Sequence, residues 1–286
     1  MNNNIIMAIA EEISALIPDC CGVTLGGSRM NELEDEKSDV EMYFYTHKGA
    51  PSVDSITKAL SKFNAQHKRT DTFLWENDMP WGPHSFFVID GLYFEIGYRN
   101  IDNIKNRIIF YEEGNVAPIQ DCHDLGLGYM PSGLAASVAS EKILIKESRE
   151  LLELKEVAMS FSKKLFFDLK EEYFETARSL IDGKLLSATE RADIFLYESI
   201  SGRIIRCLMV MAFAMGNKHF PGDKWNEVLL LRTDWKNKEE FLNLLKEHLL
   251  FKATTKEEFI NKRNILYKAF KLIEMDTAEV DNGEII

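Results

Sequence analysis

Residues 22–45 hold two strand-like runs whose spacing constrains the fold more than any other feature. Gly22 to Gly27 (GVTLGG) is a short run containing Val and Leu that ends in a glycine turn and is followed by Ser28. Asp39 to Tyr45 (DVEMYFY) is aromatic-rich and reads as a second strand. Side chains alternate faces along a strand, so Asp39 and Glu41 project from one side. A strand holds two such carboxylates about 7 Å apart, close enough to converge on Mg²⁺, a hard cation that prefers oxygen ligands. The glycine pair lets backbone N–H groups approach a phosphate, and Ser28 adds a hydroxyl donor. A phosphate cradle followed by a paired-carboxylate strand is a layout for transferring a nucleotide.

A third acid is expected from a neighbouring strand. Ser85 to Tyr98 (SFFVIDGLYFEIGY) is two apolar runs joined by Asp90-Gly91, a strong hairpin signal that makes Asp90 a turn residue. Glu95 instead interrupts Leu92, Tyr93, Phe94 and Ile96 within a strand, where a charge needs a partner if buried.

The segment GGSRMNELEDEKSDVEMY resembles the signature of the DNA polymerase β-like nucleotidyltransferase superfamily: Gly-Ser, a spacer, then Asp-x-Asp/Glu. Here the spacer runs from Arg29 to Ser38, and Glu41 replaces the more frequent second Asp. Within that superfamily the chain is most similar to the small-molecule branch, the aminoglycoside and lincosamide adenylyltransferases and their two-domain relatives. The resemblance implies an α+β fold, with an N-terminal nucleotidyltransferase domain (a mixed sheet with flanking helices) followed by a C-terminal helical bundle. It implies transfer of a nucleoside monophosphate, AMP from ATP, to a hydroxyl of a small acceptor such as an aminoglycoside, with release of pyrophosphate. Asp39, Glu41 and Glu95 would bind Mg²⁺, with Glu95 as third ligand, as general base, or both. Gly27 and Ser28 would hold the β/γ-phosphates, with Arg29 as a helper. A Lys in the turn Asn217 to Trp225, Lys224 or Lys218, would reach the triphosphate, or would simply complement a helix C-terminus. The runner-up is adenylylation of a protein partner in a regulatory or toxin–antitoxin system. A non-catalytic nucleotide-binding module is disfavoured, because it has no physical reason to keep three neighbouring carboxylates.

Charge bears on the acceptor. Residues 1–130 carry 20 acids and 10 Lys/Arg, a net of −10, whereas residues 131–286 carry 26 and 24, a net of −2. A nucleic-acid partner needs a basic surface to replace counterions, so an acidic catalytic half disfavours one and favours a small cation. The acidic aromatic loop with Trp75, Glu76, Asp78 and Trp81 fits the wall of such an acceptor pocket, or packs its tryptophans on the core.

At 286 residues, with 45% hydrophobic side chains, two ordinary domains are expected, here 1–130 and 131–286. Strands are expected at 22–27, 39–46, 70–75 and in the hairpin, with helices near 4–17 and 52–66 and a solvated loop at 31–37. Beyond the segment 126–133, Ile143, Ile145, Leu151, Leu152 and Leu154 recur at helical spacing, and four or five helices are expected to the C-terminus. Glu198, Arg203 and Arg206 form a polar stripe on one of them. Cys207 to Gly216 is the longest apolar run, too short to span a membrane. The N-terminus lacks the basic start of a signal peptide, and Cys20, Cys21, Cys122 and Cys207 lack C-x-x-C spacing, so a reducing cytoplasm is expected. His84 and His123 have no partner motif and receive no role.

Overall fold

The computed structural model describes residues 3–36, 38–63, 66–67, 82–89, 91–118, 130–222 and 224–281. The expected strand at 70–75, the loop residues Trp75, Glu76, Asp78 and Trp81, and Asp90, Cys122 and His123 lie outside the described residues. The chain forms two compact units, one of residues 1–110 with 134–160, the other of residues 111–133 with 161–286.

The first unit is built on a mixed six-stranded sheet of order β3-β4-β5-β2-β1-β6. Its strands are β1 (Cys20–Leu25), β2 (Val40–Thr46), β3 (Gln66–His67), β4 (His84–Ile89), β5 (Leu92–Asn100) and β6 (Lys142–Ile145). The hairpin expected around Asp90-Gly91 is the antiparallel pair β4–β5, with Ile89 opposite Leu92. β1 and β2 are also antiparallel, and β2 and β5 are parallel. Helices α1 (Asn3–Ser14), α2 (Val53–Leu60) and α3 (Ile101–Glu112) alternate with the strands. Ile6, Ile9, Ile13, Ile56 and Leu60 of the first two helices pack with Val23, Met42, Phe44, Phe94 and Ile96 to close one face of the sheet. Strand alternation sends Glu41, Tyr43, Tyr45, Glu95 and Arg99 to the other face.

After helix α4 (Pro131–Ser140), β6 adds an edge to β1, pairing Ile145 with Val23 and Ile143 with Thr24. Helix α5 (Arg149–Met159) follows it, its first turn capped by the Ser148 hydroxyl. Residues 134–160 therefore belong with the sheet, whereas the sequence placed everything after 130 in the helical part. Ile143 and Ile145 stand two apart, which is strand periodicity.

The second unit is helical. A long helical stretch contains α6 (Lys163–Leu169), α7 (Glu175–Leu180) and α8 (Leu186–Arg191), joined by single π-helical turns. It is followed by α9 (Ile194–Met215), α10 (Asn226–Leu231), α11 (Lys238–Leu250) and α12 (Lys256–Asp281). Phe174 and Phe270 stack with ring centroids 4.8 Å apart, and Cys207 to Ala214 is buried throughout. Among the described residues no helix is long and apolar enough to cross a membrane.

Candidate active site

The polar face of the first unit carries the residues that the sequence singled out. In the parallel β2–β5 ladder, Glu41 is the direct partner of Glu95, Tyr43 of Gly97, and Tyr45 of Arg99. Residues thus opposed stand about 5 Å apart, so the two carboxylates form a facing pair. Asp39 immediately precedes β2 and lies outside the β2–β5 ladder.

The glycine turn meets the same spot. Gly26 N–H donates to the Glu41 carbonyl at 2.9 Å, and a 3₁₀ turn runs from Gly27 to Asn31. Gly27 has φ +68°, and a Cβ there would lie 2.4 Å from Glu41 Oε1. Glycine takes that backbone without strain, whereas any side chain there would have to displace the Glu41 carboxylate. Ser28 is half-buried beside it. Arg29 has a backbone-fastening task. Its Nε and one Nη donate to the carbonyls of Asp39 and Ser38 at 2.8 and 2.9 Å, fastening the segment that presents Asp39.

Glu41 Oε2 accepts the Tyr43 hydroxyl at 2.7 Å. Tyr43 is pinned in turn: the Arg99 guanidinium lies over its ring, 3.5 Å from the centroid. Burial, and then the Glu41 charge, push the Tyr43 phenol well above its ordinary range, so it stays a donor. Arg99 pairs with Glu141 at 2.5 Å, both side chains at most 3% exposed. Thr24 and Tyr45 hydroxyls each donate to Glu141 Oε2 at 2.7 Å, and Ser137 donates to Oε1 at 3.0 Å. Burial works against the Arg99 charge, but the Glu141 carboxylate outweighs it and keeps the guanidinium protonated.

His84 borders Glu95. Its Nδ1 is 2.9 Å from the Gly82 carbonyl, which can only accept, so Nδ1 carries the proton. Nε2 then faces Glu95 Oε1 at 3.5 Å as a lone pair. Burial, and then the Arg99 charge, lower the His84 pKa to about 4, so the ring is neutral at pH 7. Gly97 makes room for both rings, since a Cβ there would meet His84 Nε2 and Tyr43 Cδ1 at 2.8 Å each.

Among the described residues no set of three His, Cys, Asp or Glu is arranged to hold a metal ion, so Asp39, Glu41 and Glu95 are not a ready-made cage. The facing pair still fits Mg²⁺ by donor chemistry. That ion is commonly held by one or two carboxylates, with substrate phosphates completing its shell.

The expected residues of the helical part lie in the second unit. Lys224 and Lys218 are exposed, Lys218 just after α9 and Lys224 shortly before α10. Glu198 pairs with Lys262 at 2.6 Å, a partner for that polar stripe within the unit itself. Tyr43, Arg99 and Glu141 had no place in the sequence reading, and His84 had no role. Tyr43 was within reach of it, being two residues beyond Glu41 on the same face.

No family model matches the sequence, and no curated protein matches it. Among solved structures it is similar to a nucleotidyltransferase-like protein from Exiguobacterium sibiricum 255-15, at 11% identity and a TM-score of 0.45, over 92% of this chain and 72% of that one. A likeness this slight assigns neither family nor activity.

Proposed function

We propose that the chain is a nucleotidyltransferase that moves a nucleoside monophosphate, AMP from ATP in the first instance, onto a hydroxyl of a small acceptor. The observation that carries this reading is the register of Glu41 against Glu95, with Gly27 packed on the Glu41 carboxylate. Two facing carboxylates beside a glycine turn suit a triphosphate that brings its own cation. Bound there with the nucleotide, Mg²⁺ would neutralise the phosphates and polarise the α-phosphorus.

The chain's own residues would do the rest. Gly27 and Ser28 hold the β/γ-phosphates, and Asp39 and Glu41 supply oxygens on one side of the site. The acceptor oxygen attacks the α-phosphorus and forms the new P–O bond as the bond to the bridging oxygen breaks. Pyrophosphate leaves, and Glu95 takes the acceptor's proton and passes it to water. Arg29 acts indirectly, by holding the backbone of Asp39.

Charge now says less about the acceptor. Over the two units as folded, 21 acids and 14 Lys/Arg leave the first at −7, and 25 and 20 leave the second at −5. The asymmetry between the sequence halves is mostly gone, but both units are acidic. Cationic hydroxyl compounds such as aminoglycosides are the first acceptors to try. The test incubates the protein with each nucleoside triphosphate, Mg²⁺ and a panel of cationic and neutral polyols. Pyrophosphate release together with an acceptor heavier by one nucleoside monophosphate supports the reading. Absence of both, with no triphosphate bound, overturns it.

A further inference from the structure

The proposed site accounts for Glu41 but not for the buried chain of groups behind it. A fully buried Arg–Glu pair is an expensive feature, and apolar residues of similar volume often serve stability as well or better. Here the pair does something an apolar filler would not. Glu141, anchored by Thr24, Tyr45 and Ser137, fixes Arg99, whose guanidinium lies over the Tyr43 ring, whose hydroxyl donates to Glu41 Oε2. Thr24, Tyr45, Glu141, Arg99 and Tyr43 are all buried, so the phenol is set by the core.

We infer that Tyr43 is the positioning residue of the carboxylate pair: its hydroxyl holds Glu41 Oε2 and leaves Oε1 turned toward Gly27, where a phosphate-bound cation would meet it. The inference rests on the nucleotidyltransfer reading. A glutamate has a soft terminal torsion, and one of its oxygens bound to a rigid donor removes that freedom. The Arg99 charge over the ring withdraws electron density from the phenol and strengthens it as a donor. Groups that orient a metal-binding carboxylate in this way are commonly worth 10- to 100-fold in metal affinity. Tyr98 is an internal contrast, a buried tyrosine of β5 that packs in the core on the opposite sheet face and whose hydroxyl accepts from Ser85.

The experiment titrates Mn²⁺, followed by the resonance signal of the free ion, into the full chain with α,β-methylene-ATP. Wild type, Tyr43→Phe, Tyr98→Phe and Glu41→Gln are compared, with a thermal melt of each. Tyr43→Phe should weaken Mn²⁺ about 10-fold or more, Tyr98→Phe should stay within about twofold of wild type however much it lowers the melting point, and Glu41→Gln should lose the site. Tyr43→Phe binding as wild type does, while Glu41→Gln fails, refutes the positioning role and leaves the nucleotidyltransfer reading standing. Equal Mn²⁺ binding by wild type and Glu41→Gln refutes both. If Tyr43→Phe does not fold, the wild type decides: Mg²⁺ added with the nucleotide should perturb tyrosine absorption near 285 nm, and an unchanged spectrum refutes the role.

Discussion

Glu41 and Glu95 stand opposite each other in register on parallel strands β2 and β5, more than fifty residues apart in the chain. Two like charges so placed repel, and a cation bound between them would relieve that repulsion. On the same sheet face, Arg99 is paired with Glu141.

Glu95→Gln should cut transfer by about 10²–10⁴-fold, the range for losing a general base. Binding of metal and ATP separates its two roles. Binding that survives assigns Glu95 to proton transfer, whereas binding that falls in step makes it a ligand as well. Full turnover in this variant would remove Glu95 from the mechanism.

Gly27→Ala should fold but bind nucleotide at least about tenfold more weakly. The left-handed backbone costs alanine about 1–2 kcal/mol, and its methyl group would displace the Glu41 carboxylate. Isothermal titration with ATP and Mg²⁺, beside a thermal melt, reads both effects. Unchanged affinity would mean that the turn does not face the nucleotide.

Glu141→Ala should be among the most damaging single changes in the first unit. It strands Arg99 in the core and removes the acceptor of Thr24 and Tyr45. Loss of one partner from such a pair costs about 3–5 kcal/mol. Chemical denaturation measures it, and a loss under about 1 kcal/mol would show that water reaches the pair.

Much of this frame was legible in the sequence. Alternation along 41–45 told which side chains share a face, and Asp-Gly announced the β4–β5 hairpin. β6 was not, because its four residues precede an amphipathic helix whose leucines dominate any longer window. The support behind Glu41 was hidden for a different reason. Arg99 and Glu141 are 42 residues apart, and only the sheet register brings them under Tyr43. A long-range pair of this kind leaves no local period to read.

Acidity should act on the second unit through Glu112. Burial raises its pKa from 4.5 to about 7. A folded-state value above the unfolded one means that folding must expel a charge once the pH is high. The penalty is therefore absent below pH 4.5, grows as pH rises, and is complete above about pH 7. Glu112→Gln should remove it, stabilising the protein at pH 8 by about 1–2 kcal/mol after allowance for partial exposure, and changing little at pH 4.5. Denaturant melts at the two pH values check this, and an equal effect at both would contradict it.

The central claim is that Asp39 and Glu41 hold the cation of a bound nucleotide, and calorimetry tests it most directly. ATP is titrated, with and without Mg²⁺, into wild type and into Asp39→Asn with Glu41→Gln, which keeps side-chain size and shape and removes both charges. The account predicts Mg²⁺-dependent binding by the wild type and its loss in an equally folded variant. Equal, metal-independent binding by the two proteins would contradict it.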